Sequence, residues 1–196
     1  MSTVLERPVS TDTVSIATPE PLLTAEEFWL LPGIDRAELA NGKVVQKMPP
    51  AEEHGSLAVY LASALILWAR ENKAGRVYVE TGFRMKPNLV RAPDVSFLET
   101  ARVPHGEARR KFVEGPPTLA IEIVSPNDAW SEVEDKVNEY LEAGARAVWI
   151  VEPDGQTLTV RTVDAAPLVL RRGDVLRATE TLPGFELSLD ELFADD

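Results

Sequence analysis

The chain has no cysteine and only two histidines in 196 residues. Disulfides and thiolate metal sites are therefore excluded and a zinc centre is hard to assemble, so any metal would be held by oxygen. Long apolar runs are missing too. The longest, "LAVYLASALILWA" from Leu57 to Ala69, is too short to cross a bilayer. The N-terminus has no basic segment leading into an apolar one, as a signal peptide would. A cytoplasmic protein with no membrane partner is expected. Positive charge is also scarce: 20 Lys and Arg against 32 Asp and Glu leave a formal charge of −12, which argues against nonspecific coating of nucleic acid.

What is present fits one ordinary globular domain, since 44% of the residues are hydrophobic and the length allows a sizeable core. Residues 1–22 are rich in Ser, Thr and Pro without a sustained period and read as a flexible leader, leaving 23–196 as the domain. Charge is uneven. Between Arg84 and Lys111 lie seven basic residues (Arg84, Lys86, Arg91, Arg102, Arg109, Arg110, Lys111) and three acids (Asp94, Glu99, Glu107), a local +4 beside −16 elsewhere. This is either a basic strip on an acidic body or a scatter of solvated loop charges.

Thr24 and Glu27 match a capping box at the start of "TAEEFWLL", and Pro32-Gly33 stops that helix. "AELANGKVVQKM" places Asn41-Gly42 between two short segments, a strong hairpin signal. A long helix is predicted from Glu52 to about Asn72, with Leu57, Leu61, Leu65 and Trp68 on its apolar face. Strand-like stretches follow: "RVYVETGFRM", "APDVSFLE" and "TLAIEIVS". Then come a helix over 129–143, a buried strand "VWIVEP", further strands in "TLTVRTV" and "PLVLRRGDVLRA", and a short capped helix "SLDELF". This order predicts an α/β (α+β) domain with a central mixed sheet flanked by helices.

Two acids stand out. Strand alternation puts Glu122 on one face with Ala120 and Val124, and Asp94 with Ser96 and Leu98. If the two strands are neighbours with these faces aligned, the carboxylates converge, and such a pair either shares a raised pKa or chelates a hard cation, Mg2+ or Mn2+. The alternative is that Asp94 is a turn residue after Pro93 and Glu122 an edge-strand acid reaching water.

"GFRMKPNLVRAPDVSFL", "LAIEIVSPND", "EDKVNEYLEAGARAVWIVEP" and "AELANGKVVQKMPPAEEHG" together resemble the Uma-type family of putative restriction endonucleases, a branch of the PD-(D/E)XK nuclease superfamily. The resemblance runs from about Thr24 through "VWIVEP". It implies a restriction-endonuclease-like core, hydrolysis of phosphodiester bonds in DNA, a divalent metal on Asp94 and Glu122, and a lysine acting on the attacking water. The superfamily's usual lysine position, two after the glutamate, holds Val124, and the resemblance points instead to Lys136 on the following helix. Tyr140, four residues on, shares its face and would support the metal ligands. Relatives often carry Asp where this chain has Glu132, and a surface Glu132–Lys136 pair is the competing expectation for the lysine. Glu38 and His54 also match family positions, as a further carboxylate and a phosphate or metal-shell contact. A solvated hairpin acid and a partly exposed first-turn histidine are the plainer alternatives. Cutting both strands of a duplex implies a homodimer. A nuclease fold kept only as a catalytically inactive binding module is the other functional class the sequence allows.

Overall fold

The protein is described by a computed structural model over residues 21–126 and 128–194. The expected leader therefore falls almost wholly outside the described residues. The elements are α1 (Ala25–Trp29), β1 (Ala37–Ala40), β2 (Lys43–Gln46), α2 (Glu52–Glu71), β3 (Gly75–Val79), β4 (Phe83–Lys86), β5 (Leu89–Arg91), β6 (Val95–Glu99), β7 (Val113–Glu114), β8 (Leu119–Ile123), α3 (Trp130–Ala143), β9 (Ala147–Glu152), β10 (Thr157–Arg161), β11 (Leu168–Arg171), β12 (Val175–Arg177), β13 (Glu186–Ser188) and α4 (Leu189–Leu192).

Local chemistry sets several boundaries. The Thr24 hydroxyl accepts from the Glu27 amide at 3.3 Å while the Glu27 carboxylate accepts from the Thr24 amide at 2.8 Å, closing the capping box of α1. Asn41 and Gly42 both take positive φ, 50° and 81°, the backbone twist that a two-residue hairpin loop requires between β1 and β2. Ser188 stands at the N-cap of α4 but its side chain makes no capping bond, contrary to the expectation for "SLDELF". The nearby Asp190 carboxylate instead accepts from the Gly173 amide at 3.1 Å.

The larger sheet is mixed and six-stranded, in the order β11-β10-β9-β8-β6-β3. Its centre is β8, parallel to β9 and antiparallel to β6. Alternation along β8 divides the chain's two largest cores. Leu119, Ile121 and Ile123 face α2, where Leu57, Leu61 and Leu65 pack with Val95 and Phe97. Ala120 faces α3 and meets Val133, Val137 and Tyr140, with Val148 and Ile150 of β9 alongside. Burying each large aliphatic side chain contributes about 1.5–3 kcal/mol, so both helices are fastened by their apolar stripes. No helix among the described residues is long and apolar enough to cross a membrane.

A second, five-stranded sheet has the order β2-β1-β5-β4-β7, and β12 and β13 pair separately. This sheet corrects one sequence expectation: "RVYVETGFRM" is not one strand. It breaks at Glu80, whose φ of 47° lies in the left-handed region, so β3 joins the six-stranded sheet and β4 the other. Gly82 in the same break lies against the Phe112 ring, 2.6 Å from where a Cβ would sit, so only glycine fits there. Strand β5 was not foreseen, because three residues are too few for alternation to show.

Candidate functional site

The register of β6 on β8 pairs Val95 with Ile121 and Ser96 with Ala120, and continuing it sets Asp94 beside Glu122. The Asp94 carboxylate also accepts from the Ile123 amide at 2.7 Å, which ties it to the residue after Glu122. Each acid is 5% exposed. Glu122 cannot be an edge-strand acid reaching water, because β8 has a neighbour on both sides, and Asp94 is turned inward rather than out of a turn.

Helix α3 supplies the partner that a buried glutamate needs. Lys136 Nζ lies 2.9 Å from Glu122 Oε2, and the Tyr140 hydroxyl, one turn along, donates to Oε1 at 2.8 Å. Glu132 is exposed and does not pair with Lys136 within ion-pair distance, so the surface-pair alternative fails. Burial pushes the Glu122 carboxyl up. Lys136 opposes this, but the Asp94 and Glu38 charges leave the net shift upward. Burial disfavours the charged form of Lys136, yet Glu122 and Glu38 outweigh it and raise its pKa, so it stays an ammonium at neutral pH.

Glu38 is 1% exposed, which overturns the picture of a solvated hairpin acid. One oxygen accepts from Arg91 Nη1 at 2.9 Å and the other from the Ala92 amide at 3.0 Å. Lys47 and Lys136 approach it at 3.8 and 3.9 Å. Burial favours the neutral form of Glu38, but these cations together hold its pKa below the ordinary glutamate range. His54 is buried rather than half-exposed. Its Nε2 lies 3.2 Å from Asp94 Oδ2, and that hydrogen bond, working against burial, raises the histidine's pKa. Burial pushes Asp94 up, but His54 and Lys47 win and hold it low.

Three further charged residues stand at this site, Arg91, Lys47 and Glu80, of which the sequence marks only Arg91, as one of the basic residues between Arg84 and Lys111. Arg91 bridges Glu38 and Glu139, its Nε 2.6 Å from the latter. Lys47 reaches Glu80 Oε2 at 3.0 Å and the Ala92 carbonyl at 2.8 Å, and stands 3.7 Å from Asp94 Oδ1. Burial and Asp94 together raise the Glu80 carboxyl although Lys47 pulls it down. Only Arg91 carried a local signal, a cation inside the apolar stretch "LVRAP". The partners of Lys47 and Glu80 are remote in sequence.

The basic segment does not form a strip. Arg91 is buried, Arg84 pairs with Glu26 at 2.6 Å and stands 3.6 Å from Glu114, Lys86 pairs with Glu142, and Arg102 donates to the Pro116 carbonyl. Arg109, Arg110 and Lys111 remain exposed. The site opens through a small cleft of about 40 Å³ whose lining includes Glu122, Val124, Glu132 and Lys136. A larger cleft of about 240 Å³, walled by His54, Trp130 and Glu152 among others, shares Val124 and Asp128 with it.

Asp94 and Glu122 are the side chains suited to a metal: two hard, buried oxygen donors whose mutual repulsion a cation would relieve. Among the described residues no three His, Asp or Glu side chains form a ready-made cage. The donor set fits magnesium, which binds through one or two carboxylates and keeps several waters.

Residues 25–190 match the family model Uma2, described as a putative restriction endonuclease. The chain belongs to the Uma2 family. It also resembles the crystal structure of a protein from Anabaena variabilis titled a putative nuclease belonging to DUF820. The TM-score is 0.77 and the identity 23%, over 87% of this chain and 97% of that one. At that identity the likeness establishes the fold alone, a mixed α+β core, and the family match supports a nuclease. No curated protein matches the chain.

Proposed function

We propose that this Uma2 protein is a magnesium- or manganese-dependent endonuclease that hydrolyses DNA through one domain spanning residues 23–196. The observation that carries the proposal is the convergence of Asp94, Glu122 and the Lys136 ammonium in one buried cluster opening to a cleft. A bound divalent ion supplies Lewis acidity toward the phosphate and lowers the pKa of a coordinated water. Asp94 and Glu122 would hold it. The chain's other residues do the positioning. Tyr140 fixes one Glu122 oxygen, and the Ile123 amide and His54 fix an Asp94 oxygen, so both carboxylates are set before substrate arrives. Because its pKa is raised, Lys136 serves as a donor and a fixed positive charge. It orients the water and offsets charge growing on the phosphate, and it does not abstract a proton.

Asp94→Asn tests this. Calorimetry should register magnesium binding to the parent and binding weakened at least ~10-fold in the variant, with cleavage of a generic duplex lowered ~100-fold or more. A parent that neither binds the ion nor cuts DNA would favour the inactive binding module, for which the net charge of −12 and the lack of a ready-made cage speak.

Two-strand cutting further calls for a homodimer. Leu168 and Val169, about half-exposed on the edge strand β11, offer an apolar surface for it. Sedimentation at about tens of micromolar should show the pair, and a monomer there would count against it.

A further inference from the structure

Lys47 enters the site from the opposite side to Lys136. Its Nζ lies 3.0 Å from Glu80, 3.7 Å from Asp94 and 3.8 Å from Glu38, and donates to the Ala92 carbonyl at 2.8 Å. The three carboxylates come from separate places in the fold: β1, the break after β3 and the entry to β6. We propose that the Lys47 ammonium stands in for a divalent cation, keeping one out of the Glu38–Glu80–Asp94 side of the cluster and leaving the Asp94–Glu122 side to a single metal ion. This rests on Asp94 and Glu122 being the metal ligands.

Four features carry it. Glu38 is the hub, with a lysine at 3.8 Å on one side and another at 3.9 Å on the other, so each ammonium joins Glu38 to a different metal ligand. Glu38 cannot turn away, because Arg91 and the Ala92 amide hold its two oxygens. Glu80 reaches Lys47 from a left-handed backbone conformation, with its amide 3.3 Å from the Asp94 carbonyl. A glutamate adopts that conformation only where its surroundings impose it. Finally, the Lys47 side chain is only 21% exposed, although Glu80 lies at the surface, and it is anchored by donating to the part-buried Ala92 carbonyl. A lysine ammonium is a compact point charge, and its carboxylates stand farther off than the roughly 2.0–2.6 Å of a metal–oxygen bond. With the ammonium gone, Glu38 keeps Arg91 and Lys136, but Glu80 loses its cation and Asp94 keeps only His54, and a divalent ion between Glu80 and Asp94 would relieve that repulsion.

The test is manganese titration of the full chain without nucleic acid, read by calorimetry and by electron paramagnetic resonance. The parent should bind one ion. Lys47→Met and Lys47→Gln should bind a second, with the spin coupling of a close pair. Lys47→Arg should keep one ion, and Glu80→Gln added to Lys47→Met should remove the second. A parent binding two coupled ions overturns the proposal, and this holds even if the Lys47 variants lose their melting transition. One ion in both parent and Lys47→Met, at unchanged affinity, overturns it while leaving the Asp94–Glu122 metal site standing. No ion in either removes both. No ion in the parent and one in Lys47→Met removes the Asp94–Glu122 site and overturns the single-ion arrangement proposed here.

Discussion

Lys136→Ala is expected to lower metal-dependent DNA cleavage by at least ~100-fold, the loss typical of a single positioned catalytic group. The geometry also says where the loss should not fall. The lysine occupies Glu122 Oε2 at 2.9 Å, the same carboxylate a metal would use, so it competes for that oxygen and does not help to bind the ion. Magnesium affinity in the variant should therefore be equal to or tighter than in the parent, with the defect in turnover. Glu122 loses its counter-charge but keeps the Tyr140 hydrogen bond at 2.8 Å, so the fold should survive. Single-turnover cleavage at saturating magnesium is the measurement. Equal rates for variant and parent would remove Lys136 from the mechanism, and a loss traced wholly to weakened metal binding would contradict the ion-pair geometry.

Arg91→Leu should have the largest effect on stability. The arginine is 7% exposed and ties Glu38, 1% exposed, to Glu139. Removing one member of a buried ion pair leaves the other as an uncompensated charge, which costs about 3–5 kcal/mol. Lys47 and Lys136 near 4 Å from Glu38 temper the loss toward the lower end. In a chain of this length that lowers the melting temperature by roughly 6–15 °C. Adding Glu38→Gln should restore part of it, because the stranded charge is then gone. Thermal denaturation that places Arg91→Leu within about 2 °C of the parent would show that Glu38 does not depend on Arg91.

Some of this site could be read without coordinates. Glu122 is an acid in the apolar run "LAIEIVS", and period-two alternation alone put it and Asp94 on defined faces of their strands. The Thr24–Glu27 box and the Asn41-Gly42 turn were equally plain, because capping and hairpin geometry depend on residues a few positions apart. Lys136 was reached through family resemblance. Local pairing alone would have assigned it to Glu132.

The amino-acid sequence by itself determined the elements whose causes are local: the amphipathic α2 and α3, the hairpin of β1 and β2, the strand bearing Glu122 and the strand that Asp94 leads into. The tertiary structure alone decided how charges meet across long separations. Lys47 finds Glu80 33 residues on, Arg91 finds Glu38 53 residues back, and "RVYVETGFRM" breaks at Glu80 to feed two sheets. The physical reason is that a charged side chain announces only its sign. Whether it becomes a solvated surface group or a member of a buried network depends on which distant backbone removes water from it and which opposite charge arrives with that backbone.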